Sequence, residues 1–137
     1  MEKFIKLTRP KIKTIFYECN QAYFDNKVRI PAKFELYTPN ENIAAWVRVS
    51  WDKNKGNFIT HLHISSAINW TEENLRKTIL HEMIHLELNS HLKRRPWWKR
   101  WLSKQHDKKF VTRMNELNKK YGLHITVDAP HLKPYLK

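Results

Sequence analysis

Apolar residues recur at helical spacing in three stretches of the chain and alternate with polar ones in three others. Ile12, Ile15, Phe16, Cys19, Ala22 and Tyr23 share one face of a helix over about 10–25. Arg9-Pro10 opens it, because proline's fixed φ suits the first helical position. Cys19 lies in that stripe and reads as packing rather than as a reactive thiol. Asp25-Asn26-Lys27 is a turn signal. Three strands are predicted next, at Lys33–Thr38, Ile43–Trp51 and Phe58–Ser65. A polar loop at 52–57 joins the last two as a hairpin. In the third strand Phe58, Leu62 and Ile64 face one way, and Ile59, His61 and His63 the other. His61 and His63 are expected on an open, solvated strand face rather than on a metal. Thr71 is a plausible N-cap, with Glu72 and Glu73 in the first turn to suit the helix dipole. The helix runs to about Asn89 and is apolar almost all round, with Leu75, Ile79, Leu80, Met83, Ile84, Leu86 and Leu88. Ser103 caps a further helix over about 104–121, striped by Phe110, Met114, Leu117 and Tyr121 and ended by Gly122. Leu123, Ile125 and Val127 suggest a short strand in the tail.

The pattern predicts an α+β fold, a small antiparallel sheet of about three strands packed against three helices. A chain of 137 residues is expected to form one domain over 1–137, with an insert at 92–103 and a tail at 123–137. A single cysteine excludes internal disulfides and cysteine-cluster zinc modules. The opening residues lack the apolar run of a signal peptide, and no stretch approaches about 18 apolar residues. A cytoplasmic location and no membrane contact are the expectation.

The central helix carries His81-Glu82-Met83-Ile84-His85, the H-E-x-x-H pattern. Residues four apart share a helical face, so two imidazoles at that spacing converge on one metal ion. Glu82 is turned by about 100° from His81, which sets its carboxylate beside the ion as general base to a metal-activated water. With 8 His and 9 Glu among 137 residues, chance yields the pattern roughly 0.03 times per chain. The competing reading is a pair of core histidines with an incidental Glu. Burying imidazoles and a carboxylate without partners is costly, and a shared metal supplies them.

Catalytic zinc takes three protein ligands and keeps one position open. His91 has the spacing of a longer H-E-x-x-H-x-x-G-x-x-H pattern, but Leu88 stands where a turning Gly is needed. His106 lies one turn before Phe110 on the inward stripe of the next helix. Glu116 falls on that helix's flank. Of the three, His106 is the favoured third ligand.

The segment His106-Asp-Lys-Lys-Phe110-Val-Thr-Arg-Met114-Asn-Glu-Leu-Asn118 resembles the SprT-like (Spartan) metalloproteases, in which a Phe follows the third zinc histidine by four residues. Ala22-Tyr-Phe-Asp-Asn-Lys-Val, Phe58–Ile68 and Thr78-Ile-Leu-His-Glu-Met-Ile-His are also similar to that family. The resemblance spans about residues 12–122. It implies a zincin-like minimal metalloprotease domain with one zinc ion on His81, His85 and His106, and Glu82 as catalytic base. The stretch between His85 and His106 is longer than in typical members, and the cysteine-rich zinc ribbon of many members is absent.

Net charge is +13 and the pI about 10.0. Such a surface attracts polyanions without sequence preference. From Lys93 to Lys109 there are eight Lys or Arg and one acid. Lys93, Arg94, Arg95, Lys99 and Arg100 alternate with Trp97, Trp98 and Trp101, a combination that suits single-stranded or junction DNA. The competing reading packs these tryptophans on the core as a lid. Lys11, Lys13, Arg48, Lys53 and Lys55 are candidates to extend the basic surface.

These features point to a zinc endopeptidase acting on DNA-bound or DNA-crosslinked proteins. Two alternatives stand beside it: a nucleic-acid-binding module with a structural zinc, and a general metalloprotease indifferent to DNA. An extended substrate is expected to pair with the Phe58–Ser65 strand, and Tyr121, His124 and Tyr135 are the candidate oxyanion donors.

Overall fold

The computed structural model describes residues 3–37, 44–89, 108–126 and 134–137. Three helices and a three-stranded sheet form the predicted α+β arrangement. Helix α1 is Arg9–Tyr23, with Pro10 in its first turn and the Thr8 hydroxyl accepting from the Lys11 N–H at 3.2 Å. It ends at Phe24, and Asp25 and Asn26 then take positive φ (53° and 60°). These two residue types tolerate that conformation best among non-glycines. Asn20, buried in the helix, holds the departing chain by two hydrogen bonds to the backbone of Val28, at 2.9 and 3.1 Å. Cys19 is fully buried, and burial pushes its thiol up to about 11, so it packs rather than reacts.

Strands β1 (Lys33–Tyr37), β2 (Ala45–Asp52) and β3 (Asn57–Ser65) lie in the order β1-β3-β2. The β2–β3 hairpin is antiparallel, with Trp46 opposite His63 and Arg48 opposite His61. Its turn is tied by the Asp52 carboxylate, which accepts from the N–H groups of Asn54 and Lys55, and by Gly56 at φ 64°. β1 runs parallel to β3, with Glu35 opposite His63. The sheet is therefore mixed, where an antiparallel one was expected. β2 lies on the far side of β3 from β1, and β3 runs between them, antiparallel to β2 and parallel to β1. Alternation of apolar residues fixes the faces of strands but not their neighbours.

Leu62 and Ile64 of β3 point into the core, where α1 contributes Ile12, Ile15, Phe16 and Cys19. Helix α2 (Glu72–Asn89) packs against α1, β2 and the third helix, α3 (Lys108–Tyr121). Contact on several sides explains its apolar circumference: Leu75, Ile79, Leu80, Met83, Ile84 and Leu86 are all buried. The Thr71 hydroxyl accepts from the Asn74 N–H at 3.1 Å, as expected of the cap. α3 buries Phe110, Met114 and Leu117, and Gly122 stops it at φ 65°. Residues 104–107 of the predicted helix lie outside the described residues. Leu123–Thr126 form no strand. They run along the structure because the Asn118 side chain grips Ile125 by its N–H (2.9 Å) and carbonyl (3.0 Å). Among the described residues no helix is long and apolar enough to cross a membrane.

Candidate metal centre

α2 turns the imidazoles of His81 and His85 to the same side, with their Nε2 atoms 3.2 Å apart. The Thr126 carbonyl, which only accepts, lies 2.8 Å from His81 Nδ1. His81 therefore donates from Nδ1 and presents a lone pair at Nε2, the orientation that a backbone carbonyl imposes on metal-ligating histidines. Two nitrogens held at about 2.0–2.1 Å by a tetrahedral ion stand roughly 3.3 Å apart. The 3.2 Å separation matches that spacing.

The Thr126 carbonyl is itself positioned. Asn118 on α3 fixes Ile125, the residue before it, and Ile125 is buried at 3% exposure. α3 is held to α2 by the Arg113 guanidinium, which donates to both oxygens of Glu87 at 2.6 and 3.0 Å. The Phe110 ring covers the dyad, with its centroid 4.9 Å from that of His81 and 4.5 Å from that of His85. Thus one helix supplies the two rings, and the next supplies their apolar cover and, through Asn118, the carbonyl that orients one of them. Thr126 and Asn118 escape a reading of motifs: the first acts through its backbone, and the second has the ordinary look of a polar residue on a helix flank.

Glu82 follows His81 but points inward, with 6% exposure. Burial pushes its carboxyl up to about 8. Tyr37, at the end of β1, lies near enough that the charge of Glu82 adds to its own burial, and its hydroxyl is pushed up to about 12. It stays a protonated donor across the physiological range. Tyr121 packs edge-on to Tyr23 at 5.0 Å, at the far end of α3 from Phe110, about 16 Å along a helix axis. Tyr135 packs edge-on to Phe4 at 6.1 Å. His124 is exposed, two residues before Thr126.

His61 and His63 do not both face water, as had been expected. His63 is buried at 7% exposure, stacked on Trp46, and its Nδ1 lies 3.2 Å from a Glu35 oxygen. β3 is the central strand, paired on both sides, so it has no edge left for an extended substrate. That expectation is therefore not met. His91, His106 and the proposed nucleic-acid residues Lys93, Arg94, Arg95, Trp97, Trp98, Lys99, Arg100 and Trp101 lie outside the described residues. Glu116 is exposed and beside Arg113 at 3.3 Å. Of the other basic candidates, Lys11 faces Glu72 at 3.5 Å, Lys13 lies over the Tyr17 ring, Arg48 is exposed on β2, and Lys53 and Lys55 are in the hairpin turn.

A helix that buries a carboxylate and brings two imidazoles together, set against a small mixed sheet, fits a metalloprotease-like domain. The chain belongs to the SprT-like family, whose family pattern matches residues 12–129, most of its length. A search of curated proteins finds no match to this chain.

Proposed function

We propose that the chain is a zinc-dependent endopeptidase of the SprT-like type, acting on proteins bound or crosslinked to DNA. The observation that carries this reading is the 3.2 Å approach of the His81 and His85 Nε2 atoms, on the helix that also buries Glu82. His81 and His85 hold the ion, and His106 is the third ligand. Phe110, four residues after His106, packs on both rings, which supports the proximity that this ligand set requires. A zinc ion in this site supplies Lewis acidity, polarising the scissile carbonyl and making water acidic near neutral pH.

The remaining chemistry belongs to the chain. Glu82 takes the proton of the attacking water and returns it to the leaving amine, two transfers by one carboxylate. Burial removes it from bulk water, and a cation bound beside it would favour the ionised form that takes the proton. Thr126 holds His81 in the tautomer that keeps Nε2 available. The Tyr37 hydroxyl is the group we assign to the developing oxyanion, because it is protonated at working pH and lies within the field of Glu82.

The DNA assignment rests on the net charge of +13 and on the interleaved basic and tryptophan residues between Lys93 and Trp101. The test is cleavage of a DNA-binding protein with and without single-stranded DNA, over a salt series. Faster cleavage with DNA, lost as salt rises and lost in a variant with Arg94, Arg95, Lys99 and Arg100 changed to Ser, supports the reading. Cleavage indifferent to DNA and salt selects a general metalloprotease. Zinc and DNA binding without cleavage selects a binding module with a structural ion.

A further inference from the structure

A second group of ligand-type side chains lies across the β1–β3 pair, on strands rather than on α2. We propose that Glu35, His61 and His63 form a separate site for a divalent transition-metal ion, one that clips the edge strand β1 to the central strand β3.

The placement follows from register. His61 and His63 are two apart on β3 and so share a face, and Glu35 of β1 stands opposite His63. One nitrogen of each ring and one carboxylate oxygen all lie within 4.8 Å of one another. A tetrahedral ion with bonds of about 2.0–2.1 Å separates its donors by roughly 3.3 Å, so side-chain rotations of at most about 1.5 Å close the set. The rings of His61 and His63 are near-parallel, 12° apart, with centroids 6.4 Å from each other. Two imidazoles and a carboxylate are borderline donors that suit zinc, cobalt or nickel, not calcium or magnesium.

The second observation is at His63. Its ring is buried and fixed, stacked on Trp46 with centroids 3.9 Å apart and planes 4° apart, and flanked edge-on by Tyr37. Its Nε2 is buried and has no hydrogen-bond partner among the described residues. A buried polar atom in that state is costly and calls for an explanation. A simple ion pair with Glu35 does not supply one. If His63 were protonated, its Nε2–H would be a buried donor without an acceptor. A neutral ring is the form that binds a metal ion. Glu35 and His61 are only half-buried, which leaves the ion a path from solvent. Arg48, opposite His61, opposes a cation, but its guanidinium is exposed and screened.

The test uses the full chain carrying His81→Ala and His85→Ala, which removes the α2 dyad and leaves this group intact. Zinc is titrated against a chromophoric chelator, and thermal unfolding is followed by circular dichroism. One tight zinc equivalent should remain, and saturating zinc should raise Tm by a few degrees. Adding Glu35→Gln or His61→Asn, both at half-buried positions, should weaken zinc at least tenfold and abolish the Tm rise. The proposal is overturned if the dyad-free protein binds no zinc tighter than about 10 μM. It is equally overturned if binding persists unchanged in the Glu35→Gln and His61→Asn variants. Peptidase activity is not the readout, so an inactive wild-type protein leaves this test intact.

Discussion

Replacing Glu82 by Gln should stabilise the metal-free protein, and increasingly so as pH rises. The side chain is 6% exposed, and burial raises its carboxyl from an ordinary 4.5 to about 8. In the folded state the proton is held over a pH range where the unfolded chain has lost it. The stability of the protonated form is fully present below about 4.5 and is lost as pH climbs through about 8. Each unit of displacement is worth roughly 1.4 kcal/mol, which sets a ceiling of about 5 kcal/mol on the penalty at pH 9. Local relaxation and entering water reduce such penalties, and about 2–3 kcal/mol is the expected size. Gln has nearly the same shape and no charge at any pH. Chelator-treated wild type and Glu82→Gln should therefore unfold at similar temperatures at pH 5, and differ by about 6–12 °C at pH 9, with the variant higher. Parallel profiles across pH 5–9 would show that the carboxylate bears no desolvation penalty, and the argument for its buried, reactive state would fail. Zinc should narrow the gap at pH 9, because a nearby cation favours the ionised wild-type carboxylate.

Three further outcomes follow from the site. Asn118→Ala frees Ile125 and with it the Thr126 carbonyl that orients His81. Zinc affinity should fall about 10–100-fold while the helical signal is retained, as chelator competition and circular dichroism will report. Tyr37→Phe should lower kcat by roughly 10²-fold with little change in KM, if its hydroxyl serves the developing oxyanion, and a KM effect alone would move it to substrate binding. Cys19, fully buried with its thiol pushed up to about 11, should resist maleimide or iodoacetamide in the native protein and react on unfolding, as mass spectrometry would show.

The parts of the fold that were legible in the sequence are those set by local periodicity. α1 shows its stripe from Ile12 to Cys19, its proline and its Asp-Asn exit, and the structure keeps all three. The all-round apolar character of α2 announced a helix with neighbours on several sides. The α2 dyad was legible because both rings and the carboxylate lie within five residues. What escaped was set by partners distant in sequence. β1 pairs with β3 across the intervening β2, and no local pattern records that order. His63 was expected to be solvated because strand alternation put it opposite the core. Its burial comes from Trp46 on one neighbouring strand and Glu35 on the other. The Thr126 carbonyl leaves no residue-type signal at all. Tyr37 was one aromatic in a strand until Glu82 came near it from α2.

The account depends most on the α2 dyad acting as a working metal centre with Glu82 as its base. The direct measurement takes wild type, Glu82→Gln and His85→Ala, reconstituted with zinc, and scores cleavage of a DNA-binding protein alongside bound metal. The account predicts cleavage by wild type, at least about 10³-fold less by Glu82→Gln with zinc content unchanged, and loss of both one zinc equivalent and cleavage in His85→Ala. Cleavage by Glu82→Gln at the wild-type rate, or a zinc content that His85→Ala leaves untouched, would contradict it.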